Sequence, residues 1–318
     1  MTLDPFSDLL RLMSAQSVIS GGLIAGGPWA VAIPPSDQIK FWGIVRGSCW
    51  LALEGSDTPV AVGEGDVFLL RAPRQHVIAS SLDVPPVDLA AILENRQGAI
   101  ARHGEGEEFF MIGGKVYLSD DNAQLLLDEL PPLIHVRAAS RHALSLHWLL
   151  KQLVAERDGN HPGVAAASSQ LAHLMLIQIL RAYFEGAEPI TSGRLRAIGD
   201  RRLAPALQLM HGDPGRAWQL EELARAAAMS RATFCAYFKK IAGVAPMAYL
   251  TEWRMRLAER MLRSERTSIG VISASLGYTS ESAFSNAFKR VTGRSPIHYK
   301  RQQQGRAAEN MAIGLGEQ

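Results

Sequence analysis

Nine histidines and two cysteines are the side chains of this 318-residue chain that could ligate a metal or act as nucleophiles. Their spacing arranges them for neither. Cys49 and Cys235 lie far apart, no Cys-x-x-Cys occurs, and no Cys/His cluster has ligand spacing, so the sequence implies neither a disulfide framework nor a metal. His76 is the histidine at a plausible ligand position among the N-terminal apolar runs, and one imidazole does not make a metal centre. No catalytic residue and no cofactor are expected. A different chemistry is better represented, that of cations and amides set on short helical patterns, among them Lys239, Lys240, Lys289, Arg290, Arg294 and Asn286.

The elements that would position these groups are legible near the C-terminus. Between Gly277 and Arg301, Ser280 is a good N-cap, and Ala283, Phe284, Ala287, Phe288 and Val291 recur at helical spacing. The opposite face of that helix carries Glu281, Ser282, Ser285, Asn286 and Lys289, with Arg290 beside them, before Gly293 ends it and Pro296 opens another. A short helix apolar beneath and polar above suits a DNA major groove. The pattern occurs twice. Leu220, Leu223, Ala224 and Ala227 match Ile269, Ile272, Ser273 and Leu276 at an offset of 49. Ser230, Phe234, Phe238, Lys239, Gly243, Pro246 and Tyr249 then match Ser280, Phe284, Phe288, Lys289, Gly293, Pro296 and Tyr299 at an offset of 50. Each copy reads as a helix, a tight turn and a second helix. The segment between them, Pro246 to Arg263, has the length for a strut of roughly 27 Å, able to set two helices in successive major-groove segments.

Charge is divided along the chain. Residues 1–193 hold 13 Lys and Arg against 21 Asp and Glu, whereas residues 194–301 hold 19 against 8. A basic module fused to an acidic one predicts a polyanion partner for the basic part.

These residues resemble the AraC/XylS-type transcription regulators. The resemblance rests on Gly277-Tyr278, Ser280-x-Ser282-x-Phe284, Phe288-Lys289-Arg290 and Gly293-x-Ser295-Pro296-x-x-Tyr299 and covers roughly residues 196–301. Residues 4–10 and the segment that follows look like the cupin-type sensor domain of one branch of that family. The resemblance implies double-stranded DNA as partner, a small-molecule effector, a homodimer and RNA polymerase as a further partner. It places base contacts at Ala232, Cys235 and Ala236, which are small here and can touch a thymine methyl but cannot make paired hydrogen bonds. Burial of Phe234, Tyr237, Phe238 and Ile241 would turn these and Arg231 outward. In the second helix Asn286 can pair with adenine and Glu281 can accept from cytosine, with Ser282 alongside. Lys239, Lys240, Lys289, Arg290 and Arg294, and the helix starts at Ser230 and Ser280, are candidates for backbone contacts.

Before residue 136 the chain consists of short apolar runs broken by Gly and Pro, which favour an antiparallel barrel or sandwich. The runs include His76–Ala79, Leu89–Leu93, Glu108–Ile112 and Lys115–Leu118, with Pro131-Pro132 closing the sheet region and Leu125–Leu130 readable as a helix. Gly63-Glu64-Gly65-Asp66 resembles a cupin turn. The region lacks the His-x-His of metal-dependent cupins, so it reads as a binding domain, with Trp42, Trp50 and His76 either effector contacts or ordinary residues filling the core; Cys49 as an oxidant sensor is a further reading. Helices follow from Ser140 to Asp158 and from Pro162 to Phe184, the second apolar almost all round, so Leu171, Leu174 and Ile177 could serve a dimer contact or pack within the chain.

The expected architecture is α+β and multidomain. A cupin-like antiparallel β-barrel spans residues 1–135, a helical dimerisation segment 136–185, a linker 186–195, an all-α double helix-turn-helix domain 196–301 and a disordered tail 302–318. Neither a leader nor a membrane-length apolar run is visible, so a cytoplasmic location is expected. Two alternatives stay open: a cupin enzyme with an accessory DNA-binding module, and a DNA-binding protein whose barrel only dimerises.

Overall fold

The computed structural model describes residues 4–314 apart from residues 13–15, 37, 72–73, 95–99, 118–128, 159–160, 187–192 and 264–266. It divides into two units: residues 14–188, and residues 1–13 together with residues 189–318. The helical reading of Leu125–Leu130 and most of the linker fall outside the described residues.

The first unit contains eleven strands among the described residues, in two sheets. β1 (Gln16–Gly26), β3 (Ile39–Arg46), β6 (Val67–Leu70), β9 (Ile100–Gly104), β10 (Phe109–Tyr117) and β11 (Leu133–Val136) form one, in the order β11-β6-β3-β10-β1-β9. β2 (Ala30–Ile33), β4 (Ser48–Leu53), β5 (Val60–Gly63), β7 (His76–Ala79) and β8 (Val87–Asp88) form the other, in the order β5-β4-β7-β2-β8. One core joins them, with Leu23, Trp42, Phe68 and Met111 from the first sheet meeting Val31, Leu51, Val62 and Ile78 from the second. The sheets are not closed into a ring, and two pairings, β1 with β9 and β2 with β8, are parallel. Both departures from a purely antiparallel barrel involve edge strands.

Two strand readings need correction. Leu89–Glu94 is a helix, α2, because Leu, Ala and Glu are strong helix formers and the Asp88 carboxylate accepts from Ala90 N at 2.9 Å. The two prolines at 131 and 132 do not end the sheet, since β11 follows and pairs with β6. What secures β11 is Asp66, a buried carboxylate at the β5–β6 turn. It accepts from Gly63 N at 3.0 Å and Ala138 N at 2.7 Å, and it meets His135 Nε2 at 2.8 Å.

α3 (Ala143–Asp158) and α4 (Val164–Glu185) complete this unit. α3 can approach β3 because Gly43 has no side chain; a Cβ there would lie 2.1 Å from Leu150 Cδ2. α4 packs on β1, where Ser169 Oγ donates to Ser17 O at 2.9 Å. Ala172, Met175, Leu176, Ile179 and Leu180 are buried within the unit, which accounts for much of the helix's excess apolar surface.

The second unit is helical. α1 (Pro5–Leu12) belongs to it, a departure from the expected domain 1–135. Its apolar stripe explains why: Leu9, Leu10 and Leu12 are buried, and Asp8 Oδ2 lies 3.5 Å from Nδ1 of the buried His211. The remaining helices are α5 (Arg194–Gly199), α6 (Ala204–Gly212), α7 (Leu220–Ala226), α8 (Arg231–Ala242), α9 (Pro246–Leu262), α10 (Ile269–Ser275), α11 (Glu281–Thr292) and α12 (Pro296–Gly314). α12 runs through much of the stretch expected to be disordered. A proline at its first position and a run of Gln, Arg, Ala and Glu beyond Lys300 favour helix. Among the described residues no helix is long and apolar enough to cross a membrane.

Candidate nucleic-acid interface

The two copies of the repeated segment fold alike, down to their caps. α8 starts at Ser230, whose Oγ accepts from Thr233 N at 3.2 Å, and α11 starts at Ser280, whose Oγ accepts from Ala283 N at 3.2 Å. They end on Gly243 and Gly293 at φ 75° and 76°, left-handed positions that suit glycine. Beneath α8, Phe234 and Phe238 stack edgewise and Phe238 meets Tyr249 of α9 at 5.5 Å and 75°. Beneath α11, Phe284 and Phe288 pair at 5.8 Å with their rings tilted by 46°, and Phe288 meets Tyr299 of α12 at 5.7 Å and 76°. Two buried phenylalanines thus clamp each second helix by one face.

The other face is free. Arg231, Ala232, Ala236, Lys239 and Lys240 are exposed on α8, as are Glu281, Ser282, Asn286, Lys289 and Arg290 on α11, with Arg294 just past its end. Cys235 is half-buried against the core, so it presents less surface than its neighbours. Tyr237, expected in the core, is only half-buried, because its hydroxyl donates to Asp200 Oδ2 at 2.8 Å and Arg202 lies over its ring. The hydroxyls of Ser230 and Ser280 are committed to capping. Arg231 pairs with Glu221 at 2.9 Å, both well exposed, and Arg294 is bonded to Gln302. At the position equivalent to Arg231 stands Glu281, its carboxylate lying over Gly270.

The turn of the second copy is one residue longer, and the two also differ at their left-handed position. Gly277 has φ 80° and Ala228, its counterpart, φ 52°. A Cβ on Gly277 would lie 2.0 Å from Gly215 O, so only glycine fits there. That contact also links the two halves of the unit, since Gly215 belongs to the loop before α7. The sequence reading missed the residue that reinforces it. Arg254 of α9 donates from Nε to Pro214 O at 2.5 Å and from Nη2 to Arg216 O at 2.8 Å, and it faces the Tyr278 ring at 5.9 Å. Its periodicity as one more arginine on a polar helix face gave no signal of this. With α9 at 17 residues, about 26 Å long, the two second helices are held by a strut and a clamp.

The residues expected to contact an effector are less concentrated. Trp42 is buried in the core with its ring against Gly113; Trp50 lines a cavity of about 230 Å³; His76 lines another of about 10 Å³. These are separate spaces. Burial holds His76 down to about 4, opposed by a backbone contact with Arg74 O and aided by Lys40. Burial also pushes the Cys49 thiol up to about 12, with Asp66 adding to the effect, so at neutral pH it is protonated and unreactive. Among the described residues no group of three or more His, Cys, Asp or Glu is placed to hold a metal. Of the dimer candidates Leu174 is exposed and Leu171 and Ile177 are half-buried; Leu144 and Trp148 of α3, not anticipated, are more exposed still, at 85% and 55%.

Comparison with known proteins decides the family. The family model described as Cupin matches residues 4–185, and that described as Helix-turn-helix domain matches residues 223–302. A putative AraC-like transcription regulator of Streptomyces antibioticus is 40% identical over 285 residues, 90% of this chain and 94% of that one. This chain is a member of the AraC family of helix-turn-helix transcription regulators. Escherichia coli K12 has a more distant relative, the RCS-specific transcriptional activator RclR, 27% identical over 90% of this chain and 93% of that one. Among solved structures, the DNA-binding domain of AdpA in complex with a target DNA is 29% identical, covers 34% of this chain and 96% of that one, and superposes with a TM-score of 0.32. As an AraC-type regulator the chain is a DNA-binding protein, and its relatives are transcription regulators rather than enzymes.

Proposed function

We propose that one chain reads a single duplex with both second helices, α8 and α11, and that the cupin unit senses a small molecule and pairs two chains. The observation that carries the first part is the repeated burial pattern: the same face of each helix is clamped by phenylalanines and the same face is left open. On α11, Asn286 would pair with an adenine and Glu281 accept from a cytosine or repel other bases. On α8, Ala232 and Ala236 would contact thymine methyls, with Cys235 partly withdrawn. Lys239, Lys240, Lys289, Arg290 and Arg294 would contact phosphates, which position the protein without reading sequence. Arg231 would first have to leave Glu221. Selection of binding sites from a random pool tests this assignment. Asn286→Ala should change preference at one base pair and leave the others; an unchanged profile would remove Asn286 from base recognition.

Pairing of chains is proposed through α3 and α4 of the cupin unit. Leu144, Trp148, Leu149 and Leu174 line a groove of about 410 Å³ with Ser145 and Gln178, and no charged residue is among them. Two copies can therefore meet there about a twofold axis without opposing like charges. An effector in the cupin unit would act by binding one arrangement of the pair better than another. Sensor and RNA polymerase contacts would then follow from where the pair sits on promoter DNA.

A further inference from the structure

A different part of the cupin unit is better built for a ligand than the spaces beside Trp50 and His76. A cavity of about 610 Å³ lies where β5, β11, the approach to α3 and the last turn of α4 come together. That is within the range of roughly 300–1,000 Å³ used by small organic ligands. Its walls are of two kinds. Val60, Leu133 and Ala182 give it apolar surface; Arg137, Ser140 and Arg141 give it donors. One of these donors is uncommitted: the Ser140 hydroxyl is buried with no hydrogen-bond partner among the described residues. Arg137, also on the lining, is exposed. A buried hydroxyl left without a partner is costly, and an acceptor supplied by a ligand would relieve it.

The third donor is already in use, in an informative way. The Arg141 guanidinium donates to the main-chain oxygen of Glu185 at 3.0 Å and pairs with the Glu185 carboxylate at 3.0 Å. It thereby fastens the last turn of α4, immediately before the segment that leads on to the helix-turn-helix unit. Among the described residues of the lining, Glu185 is the one carboxylate set against the two arginines, so the cavity favours an anion.

We propose that this cavity is the effector site, that it takes a small organic monoanion with an apolar body, and that the anion draws Arg141 away from Glu185. The proposal rests on the sensor reading given above and names its ligand class and location. Binding would exchange the Arg141–Glu185 pair for an Arg141–ligand pair, with Arg137 and Ser140 completing the anion's shell. Occupancy would then be registered at the point where the chain leaves the cupin unit.

The test uses the full chain and four probes: 4-phenylbutyrate, 4-phenylbutan-1-ol, 4-phenylbutylamine and acetate. Titration calorimetry should show saturable binding of 4-phenylbutyrate, at least tenfold weaker binding of the alcohol and the amine, and none of acetate. Arg137→Ala and Arg141→Ala should each weaken 4-phenylbutyrate binding at least tenfold. Val60→Trp, which fills the cavity from an independent wall, should do the same. Equal binding of acid and alcohol, unaltered binding in the arginine variants, or no binding of any probe would overturn the proposal. The same protein is titrated with its selected DNA site with and without 4-phenylbutyrate. Binding that leaves DNA affinity unmoved would overturn the effector role, whereas DNA binding measured without probe stands or falls on its own.

Discussion

Single residues carry the most direct tests of the local physics. Ala228 occupies a left-handed position with a Cβ where the second copy uses Gly277. Ala228→Gly should therefore stabilise the chain by about 0.5–1 kcal/mol, because removing the Cβ clash outweighs the extra chain entropy. Gly277→Ala should do the reverse and by more, since its Cβ would meet the Gly215 carbonyl. Urea unfolding of both variants measures the pair. His76 predicts a pH effect. Its folded value near 4 lies below the unfolded value of 6.5, so the unfolded chain binds the proton first as pH falls. Stability contributed by neutral His76 is complete above pH 6.5 and is lost progressively down to about pH 4. Between pH 7 and pH 5 the loss is about 2 kcal/mol, and His76→Gln should remove that part of the slope. Cys49, buried and held protonated, should resist iodoacetamide in the folded protein while the half-buried Cys235 is labelled, as peptide mass spectrometry would show.

At the scale of elements, the clamp on α9 makes its own prediction. Arg254→Ala removes the bonds to Pro214 and Arg216 but leaves both phenylalanine clusters intact. Each helix-turn-helix should still fold, while affinity for a full-length site should fall more than affinity for a site carrying only half of it; equal losses would show that Arg254 does not couple the halves. Much of this unit was legible in the sequence, for a physical reason. A short helix clamped by two phenylalanines, capped by serine and closed by glycine is specified locally, and it is specified twice. The cupin unit was less legible. Leu89–Glu94 reads equally as a buried strand or a helix on apolar content, and Asp88 decides it through a single cap. β11 depends on Asp66, a residue some seventy positions away, which no local pattern reports. The placement of α1 with the second unit was invisible for the same reason: its stripe of leucines states that it must be covered but not by what. Of the candidate effector residues, the sequence marked aromatic side chains on strands, and the structure puts Trp42 in the core and Trp50 and His76 in separate spaces.

Across the whole molecule, charge and apolar surface are distributed to different ends of the task. The basic excess lies in residues 194–301, where the exposed lysines of α8 and α11 face outward. Lys289→Ala should weaken binding to every DNA sequence and lower the dependence of log affinity on log salt by about 1, whereas a base-reading side chain would leave that slope alone. The apolar groove on α3 and α4 predicts a separate behaviour. Trp148→Glu should convert a pair of chains to single chains in sedimentation, without reducing the affinity of one chain for half of a paired site. The proposed mode of recognition requires both second helices of one chain to engage the same duplex. Hydroxyl-radical footprinting on the selected site tests that directly. The expected pattern is two protected segments per chain on one face, about 34 Å apart, one weakened by Lys239→Ala and the other by Lys289→Ala. A single protected segment per chain, or two variants that both weaken the same segment, would contradict it.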